Sequence, residues 1–112
     1  MPLVQVSTNL SNEAVPKDFE KRFSVFLAEA MDKPIERITV AINCGARICN
    51  GGDNTSPFML MSIHAIDRFN KDNNPGYTDK IVEFVHGETK IPGNKIQIIY
   101  TDLQPFMAGK GK

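Results

Sequence analysis

The sequence predicts an α+β domain made of two copies of a strand-helix-strand unit, on three observations. Residues Lys33-Pro34-Ile35-Glu36-Arg37-Ile38-Thr39-Val40 and Ile91-Pro92-Gly93-Asn94-Lys95-Ile96-Gln97-Ile98 share a pattern of proline, two variable residues, a cation and then isoleucine-x-aliphatic, at a shift of 58. Each copy follows a set of apolar residues at helical spacing, and each of those sets follows an apolar run of strand length. A crossover between parallel strands is right-handed in nearly all proteins, so each half supplies two parallel strands with a helix on one face. Joined, the halves form a four-stranded mixed sheet carrying two antiparallel helices on one side. This reads as one domain spanning 1-112, with pseudo-repeat halves at about 2-44 and 58-102.

The elements follow in order. Leu3 to Thr8 (LVQVST) has apolar residues at 3, 4 and 6, two of them valines, and predicts a mostly buried strand. After a loop at 11-16, Pro16 suits a first helical turn, and Phe19, Phe23, Phe26, Leu27 and Ala30 recur on one helical face that ends before Lys33-Pro34. Three phenylalanines on one stripe at that spacing form a core face, not an aromatic ligand box. Arg37 to Asn43 alternates, with Ile38, Val40 and Ile42 on one side, as a second strand does. Cys44 to Pro57 is loop chemistry with a short extended piece at Arg47-Ile48-Cys49, and its Gly51-Gly52 lacks the Lys-Ser/Thr that a phosphate loop requires. Phe58 to Ile66 is a third strand, apolar enough to be covered on both faces. Thr78 is the expected N-cap of a second helix with Ile81, Phe84 and Val85 on its apolar face. Lys95 to Thr101 is the fourth strand, and Leu103 to Lys112 a short, frayed tail.

Composition narrows the function classes. Thirteen basic and thirteen acidic residues give a formal net charge of zero, so nothing marks a nucleic acid or an anionic membrane as partner. No apolar run approaches the roughly 20 residues of a membrane helix, and the N-terminus enters strand pattern without a signal-peptide core. Cys44 and Cys49, the only thiols, are then read as free. Strands this apolar leave a sheet face that should not meet water, and self-association is its simplest cover.

The second residue carries the chemistry. Proline directly after the initiator normally permits removal of methionine, which would make Pro2 a free secondary amine held on a rigid strand. Such an amine is a base without a flexible stem.

These residues resemble the macrophage migration inhibitory factor family, which includes D-dopachrome tautomerase. The resemblance is carried by Pro2-Leu3-Val4 with Thr8-Asn9, Val15-Pro16, Lys33-Pro34, Gly51-Gly52 with Pro57, Ser62-Ile63-His64-Ala65-Ile66, and Tyr100 with Asp102, and so runs from Pro2 to about Gly109. It implies a homotrimer whose sheets face inward, and a cofactor-free keto-enol tautomerase acting on phenylpyruvate- or dopachrome-type substrates. In that pattern Pro2 is the catalytic amine, Lys33 binds the substrate carboxylate, the backbone N-H of Ile66 contacts substrate, and Gln97 and Ile99 reach in from the neighbouring subunit. Neither a cofactor nor a metal is implied. His64 recurs in the family, but a lone strand histidine is read as a hydrogen-bonded core residue.

Departures from the pattern bear on function. Gln97 and Ile99 replace a tyrosine and an asparagine of the vertebrate cytokine; glutamine can still donate to a substrate oxygen and isoleucine cannot. Phe58-Met59-Leu60-Met61 replaces a Cys-x-x-Cys, so thiol redox activity is not expected. Asn12 and Gly45 stand where receptor-binding charges lie, which weakens vertebrate-like signalling. The alternative reading is a secreted, non-catalytic, cytokine-like module acting through a cell-surface receptor. Either reading places the chain in the cytoplasm, with export by a route independent of a signal peptide.

Overall fold

The computed structural model describes residues 1-112 as six main elements. These are β1 (Leu3–Thr8), α1 (Phe19–Ala30), β2 (Thr39–Asn43), β3 (Met59–Ile66), α2 (Asn74–Thr89) and β4 (Ile96–Leu103). The strands form one sheet in the order β2-β1-β3-β4. β1 and β2 are parallel, β3 and β4 are parallel, and the two pairs meet antiparallel between β1 and β3. This is the duplicated unit expected from the repeat, with its two crossover helices antiparallel to each other.

The repeat is visible in local geometry. In each half the chain turns through one short 3-10 helix, Ile35–Arg37 or Gly93–Lys95, before entering its outer strand. The prolines at 34 and 92 stand at the N-caps of these turns with φ of -60° and -58°. Their carbonyls accept from Arg37 N at 3.0 Å and Lys95 N at 2.8 Å. Proline pre-sets that φ, so both turns are built by the same residue for the same reason. Both outer strands accordingly start one or two residues later than alternation alone predicts.

One core cluster joins the layers. Phe19, Phe23 and Leu27 of α1 and Ile81 and Val85 of α2 pack on Val4, Val6, Met59, Met61, Ile63, Ala65 and Ile96 of the sheet. The phenylalanine stripe is therefore core: Phe23 stacks on Phe84 with ring centroids 5.5 Å apart, and Phe26 on Phe84 at 4.6 Å. At such separations aromatic pairs add about 0.5–1.5 kcal/mol beyond their buried area.

Three expectations are corrected. Thr78 is not a helix cap, because Asn74-Pro75 already opens α2 one turn earlier, with proline in the first turn where its missing N-H costs nothing. Thr78 instead faces the sheet, its Oγ1 2.7 Å from the Tyr100 hydroxyl. Pro16 does not enter a helix either; its carbonyl accepts from Phe19 N at 3.1 Å, and α1 begins only after Asp18 takes a left-handed φ of 64°. Finally, β3 is not apolar on both faces. Its second face carries Leu60, Ser62, His64 and Ile66, and with Gln5, Ser7, Thr39 and Ala41 it forms an open surface of mixed polarity. Leu60 and Ile99 are its exposed large apolar side chains, at 40% and 57%.

Several residues behind the family resemblance are structural. Asn9 Nδ2 donates to Ser56 O and its Oδ1 accepts from Phe58 N, both at 2.8 Å, which sews the end of β1 to the start of β3. Beside it, the buried Thr8 hydroxyl donates to Phe58 O at 2.8 Å. Asp102 accepts from Arg68 N and Phe69 N at 3.0 and 3.1 Å, closing the loop that leaves β3. Gly51 and Gly52 take positive φ in a turn closed by Asn50 and Asp53, where a side chain would be strained. The Asp53 carboxylate there accepts from Thr55 and Ser56, which holds it far below the usual carboxylate range.

Candidate active site

Pro2 is fixed by the strand that follows it. Val4 and Val6 are fully buried, so β1 cannot shift without leaving the core, and Pro2 enters that strand itself buried. Two bonds tie the chain start to β2 and to the turn before it: Pro2 O accepts from Thr39 N at 3.1 Å, and the Met1 amine donates to Arg37 O at 2.8 Å. Leu3 pairs with His64 across β1 and β3, so one further step of the register sets Pro2 opposite Ala65.

A cavity of about 710 Å³ opens here at the end of the sheet. It is lined by Met1, Pro2 and Leu3 at the chain start, Glu36, Arg37 and Thr39 at the entry to β2, His64 of β3, Leu103 of β4, and Met107 to Lys110 of the tail. That volume suits a small organic ligand. Leu3, Leu103 and Met107 give it apolar surface, and Arg37 and Lys110 give it charge.

The electrostatics of the cavity act on the chain's amine. Burial lowers the amine from its ordinary value of 8.0, and the positive charges of Lys33, Arg37 and Lys110 lower it further, since each disfavours a second cation nearby. Lys33 is itself lowered by burial and by Arg68 and Arg37, with Asp67 opposing. Arg68 is held in place by its Nε, which donates to Met31 O at 3.2 Å just beyond α1. None of these four cations is in an ion pair. The one ion pair of the chain, Arg22 to Glu88 at 2.6 Å, joins the two helices on the other side of the sheet. No group of three histidine, cysteine, aspartate or glutamate side chains lies close enough together to hold a metal ion.

The residues singled out from sequence are only partly brought together. Pro2 lines the cavity. Lys33 follows α1 by three residues, beyond its last turn, and acts on the amine through its charge without forming a wall. Ile66, the last residue of β3, is half-buried and pairs with Leu103, which lines the cavity, but Ile66 does not itself line it. Gln97 and Ile99 share the open sheet face but lie six and four residues along β4 from Leu103. At about 3.3 Å per residue that is roughly 20 and 13 Å, too far to serve this cavity within one chain. Arg37, His64 and Lys110 line it without having been singled out. His64 is half-buried on the open face, not in the core.

A second cavity of about 710 Å³ lies at the opposite end of β1, between Asn9-Leu10 and the loop from Ala46 to Pro57. It holds a single cation, Arg47, and no amine. The end of the sheet near Pro2 is where a base, apolar wall and unpaired cations coincide.

A family model described as "Macrophage migration inhibitory factor (MIF)" matches residues 1–111. The chain belongs to the macrophage migration inhibitory factor family. Among curated relatives it is similar to "MIF-like protein mif-2" of Caenorhabditis elegans, 42% identical over 109 residues that cover 97% of this chain and 90% of the relative. It is also similar to "D-dopachrome decarboxylase" of Bos taurus, 29% identical over 111 residues covering 98% and 93%. The macrophage migration inhibitory factor of Trichinella spiralis superposes with a TM-score of 0.92 at 23% identity, covering 97% of this chain and 96% of that one, a likeness of fold. Family relatives thus carry both the cytokine and the dopachrome enzyme names.

Proposed function

We propose that this chain, once Met1 is removed, is a cofactor-free keto-enol tautomerase of phenylpyruvate- or dopachrome-type acids, with Pro2 as its acid and base. The observation that carries this reading is the placement of the chain's amine in a partly apolar cavity among unpaired cations. Pro2 lies one residue deeper than Met1 and would meet the same charges. A neutral amine near pH 7 is what proton abstraction needs, and burial with like charge is how a protein obtains one.

The step is an isomerisation and balances without a co-reactant. The Pro2 nitrogen takes a proton from the carbon beside the substrate ketone, so that a C-H bond breaks, an N-H bond forms and charge gathers on the carbonyl oxygen. The ammonium then returns that proton to the oxygen, which gives the enol and restores the free amine. Lys33 and Arg37 hold the carboxylate and offset the developing negative charge, while Ile66 offers its backbone N-H. Leu3 and Leu103 face the substrate's apolar part.

The same reading makes the working unit a homotrimer. Gln97 and Ile99 are exposed on the open face and cannot reach their own chain's cavity. A neighbouring subunit docked on that face would bring them to it and would cover Leu60 and Ile99. Replacing Pro2 by glycine tests the chemistry. Turnover of phenylpyruvate should fall by about 10²- to 10⁴-fold with the assembly unchanged. Undiminished turnover would remove Pro2 from its role, and a fully processed wild type with no turnover would favour the cytokine-like binding module instead.

A further inference from the structure

Resting on the tautomerase reading of this site, we propose that His64 is a catalytic residue in it, whose imidazole N-H donates a hydrogen bond to the substrate's carbonyl oxygen as negative charge gathers there. Of the chain's two histidines, His86 is committed to structure, with Nδ1 2.8 Å from Ile91 O, whereas the ring of His64 makes no hydrogen bond within the chain. His64 lines the cavity instead.

The ladder fixes where that ring stands. Thr39, Leu3 and His64 are successive partners across β2, β1 and β3, and all three line the cavity. On its other side His64 pairs with Thr101 of β4, so its backbone is held by a strand on each flank. Opposed residues of an antiparallel pair have Cβ atoms about 4.5–5.5 Å apart. The Pro2 nitrogen lies one residue, about 3.4 Å, along the chain from Leu3. The ring and that nitrogen thus flank a space a few ångströms across. It fits a group in which the carbon losing its proton and the oxygen gaining charge are two bonds apart.

Arg37, Thr39 and Lys110 are the other lining side chains that carry a donor, and all three are exposed, whereas His64 is half-buried. A long arginine or lysine must give up rotamer freedom to hold one oxygen, while a ring on an interior strand is placed beforehand. Imidazole carries at least one N-H whether neutral or protonated, so the donor is present in either state. The step balances with no proton leaving His64. Pro2 takes the proton from carbon, the electron pair of the broken C-H bond moves toward the carbonyl oxygen, His64 bonds that oxygen, and the Pro2 ammonium then protonates it.

Phenylpyruvate kinetics of Met1-processed wild type, His64→Phe and His64→Gln test this, together with NMR of the imidazole rings. In His64→Phe, which keeps a ring but no donor, kcat should fall about 10²-fold with KM within about twofold, as for loss of one donor to a developing oxyanion. His64→Gln restores an N-H and should recover about tenfold of that loss. The ring signals of His64, assigned by their absence in His64→Phe, should shift on saturation with phenylpyruvate, while those of His86, tied to Ile91 O, stay in place. Unchanged kcat in His64→Phe, equal losses in the two variants, or His64 signals that do not move overturn the proposal. The two readings fail separately. Shifted His64 signals in a processed wild type without turnover keep His64 as the ligand's donor and remove the tautomerase, and full turnover in His64→Phe does the reverse.

Discussion

The amine of Met1 donates to the carbonyl oxygen of Arg37 at 2.8 Å, so the first residue of the chain is docked on the turn that launches β2. Arg37 thereby bonds the chain start through its backbone and is also one of the residues lining the cavity. A proline nitrogen freed at position 2 would sit beside the same turn, still tied to β2 through Pro2 O and Thr39 N at 3.1 Å. The expected behaviour of the protein follows from that arrangement and from the packing beneath it.

The pH dependence has a defined sign. The amine is the base and must be unprotonated, so kcat/KM should rise with pH through the amine's pKa and level off above it. Burial first and then Lys33, Arg37 and Lys110 lower the Met1 amine below its ordinary value, and a Pro2 amine freed beside the same charges should be lowered in the same direction. In Lys33→Gln one lowering charge is gone, so the acid limb of the profile should move to higher pH while KM rises. A limb that stays in place would show that Lys33 does not act on the base.

Ile99 separates fold from assembly. It is 57% exposed in the single chain, and exposed substitutions usually change stability by no more than about 0.5 kcal/mol. Ile99→Asp should therefore leave circular dichroism and the chain's own fold intact. If subunits dock on the open face, it should shift the oligomer toward monomer in light scattering and reduce turnover in step. An unaltered oligomer would place the contact elsewhere.

Asn9 should behave as a structural residue despite belonging to the family pattern. Asn9→Ala removes a donor to Ser56 O and an acceptor for Phe58 N, leaving two partly buried backbone groups to find other partners. The expected loss is about 1–3 kcal/mol in chemical denaturation, with KM little changed. A catalytic defect at full stability would contradict this.

The Thr78–Tyr100 contact is the smaller test of the same kind. One hydroxyl pair at 2.7 Å links α2 to β4, and burial raises the tyrosine's pKa while Thr78 opposes that shift. Tyr100→Phe should cost about 0.5–1.5 kcal/mol, and the double variant with Thr78→Val should cost less than the two singles together. Strict additivity would mean the bond contributes nothing.

The fold was legible because its information is local and repeated. Proline, two residues and a cation recur at a shift of 58, and they build the same turn into the same kind of strand twice. Thr78 misled because a threonine ahead of an apolar helical face looks like a cap, whereas Asn74-Pro75 upstream had already started the helix. The open face misled for a related reason: β3 reads as a continuous apolar run, yet its period of two puts Ser62 and His64 on the side away from the helices. The site was legible at Pro2, where position in the chain is itself the signal. Arg37, His64 and Lys110 were not, because they come from three stretches far apart in sequence and only the sheet's closure brings them to one cavity.

Everything catalytic depends on one peptide bond, between Met1 and Pro2. An acylated proline nitrogen has no lone pair to offer, so the species that retains Met1 should be inactive whatever the state of its fold. Intact mass spectrometry paired with phenylpyruvate turnover on the same preparations, some processed and some retaining Met1, tests this most directly. Turnover should scale with the fraction of chains that begin at Pro2 and vanish when that fraction is zero. Equal turnover from chains that keep Met1 would contradict the role given to Pro2.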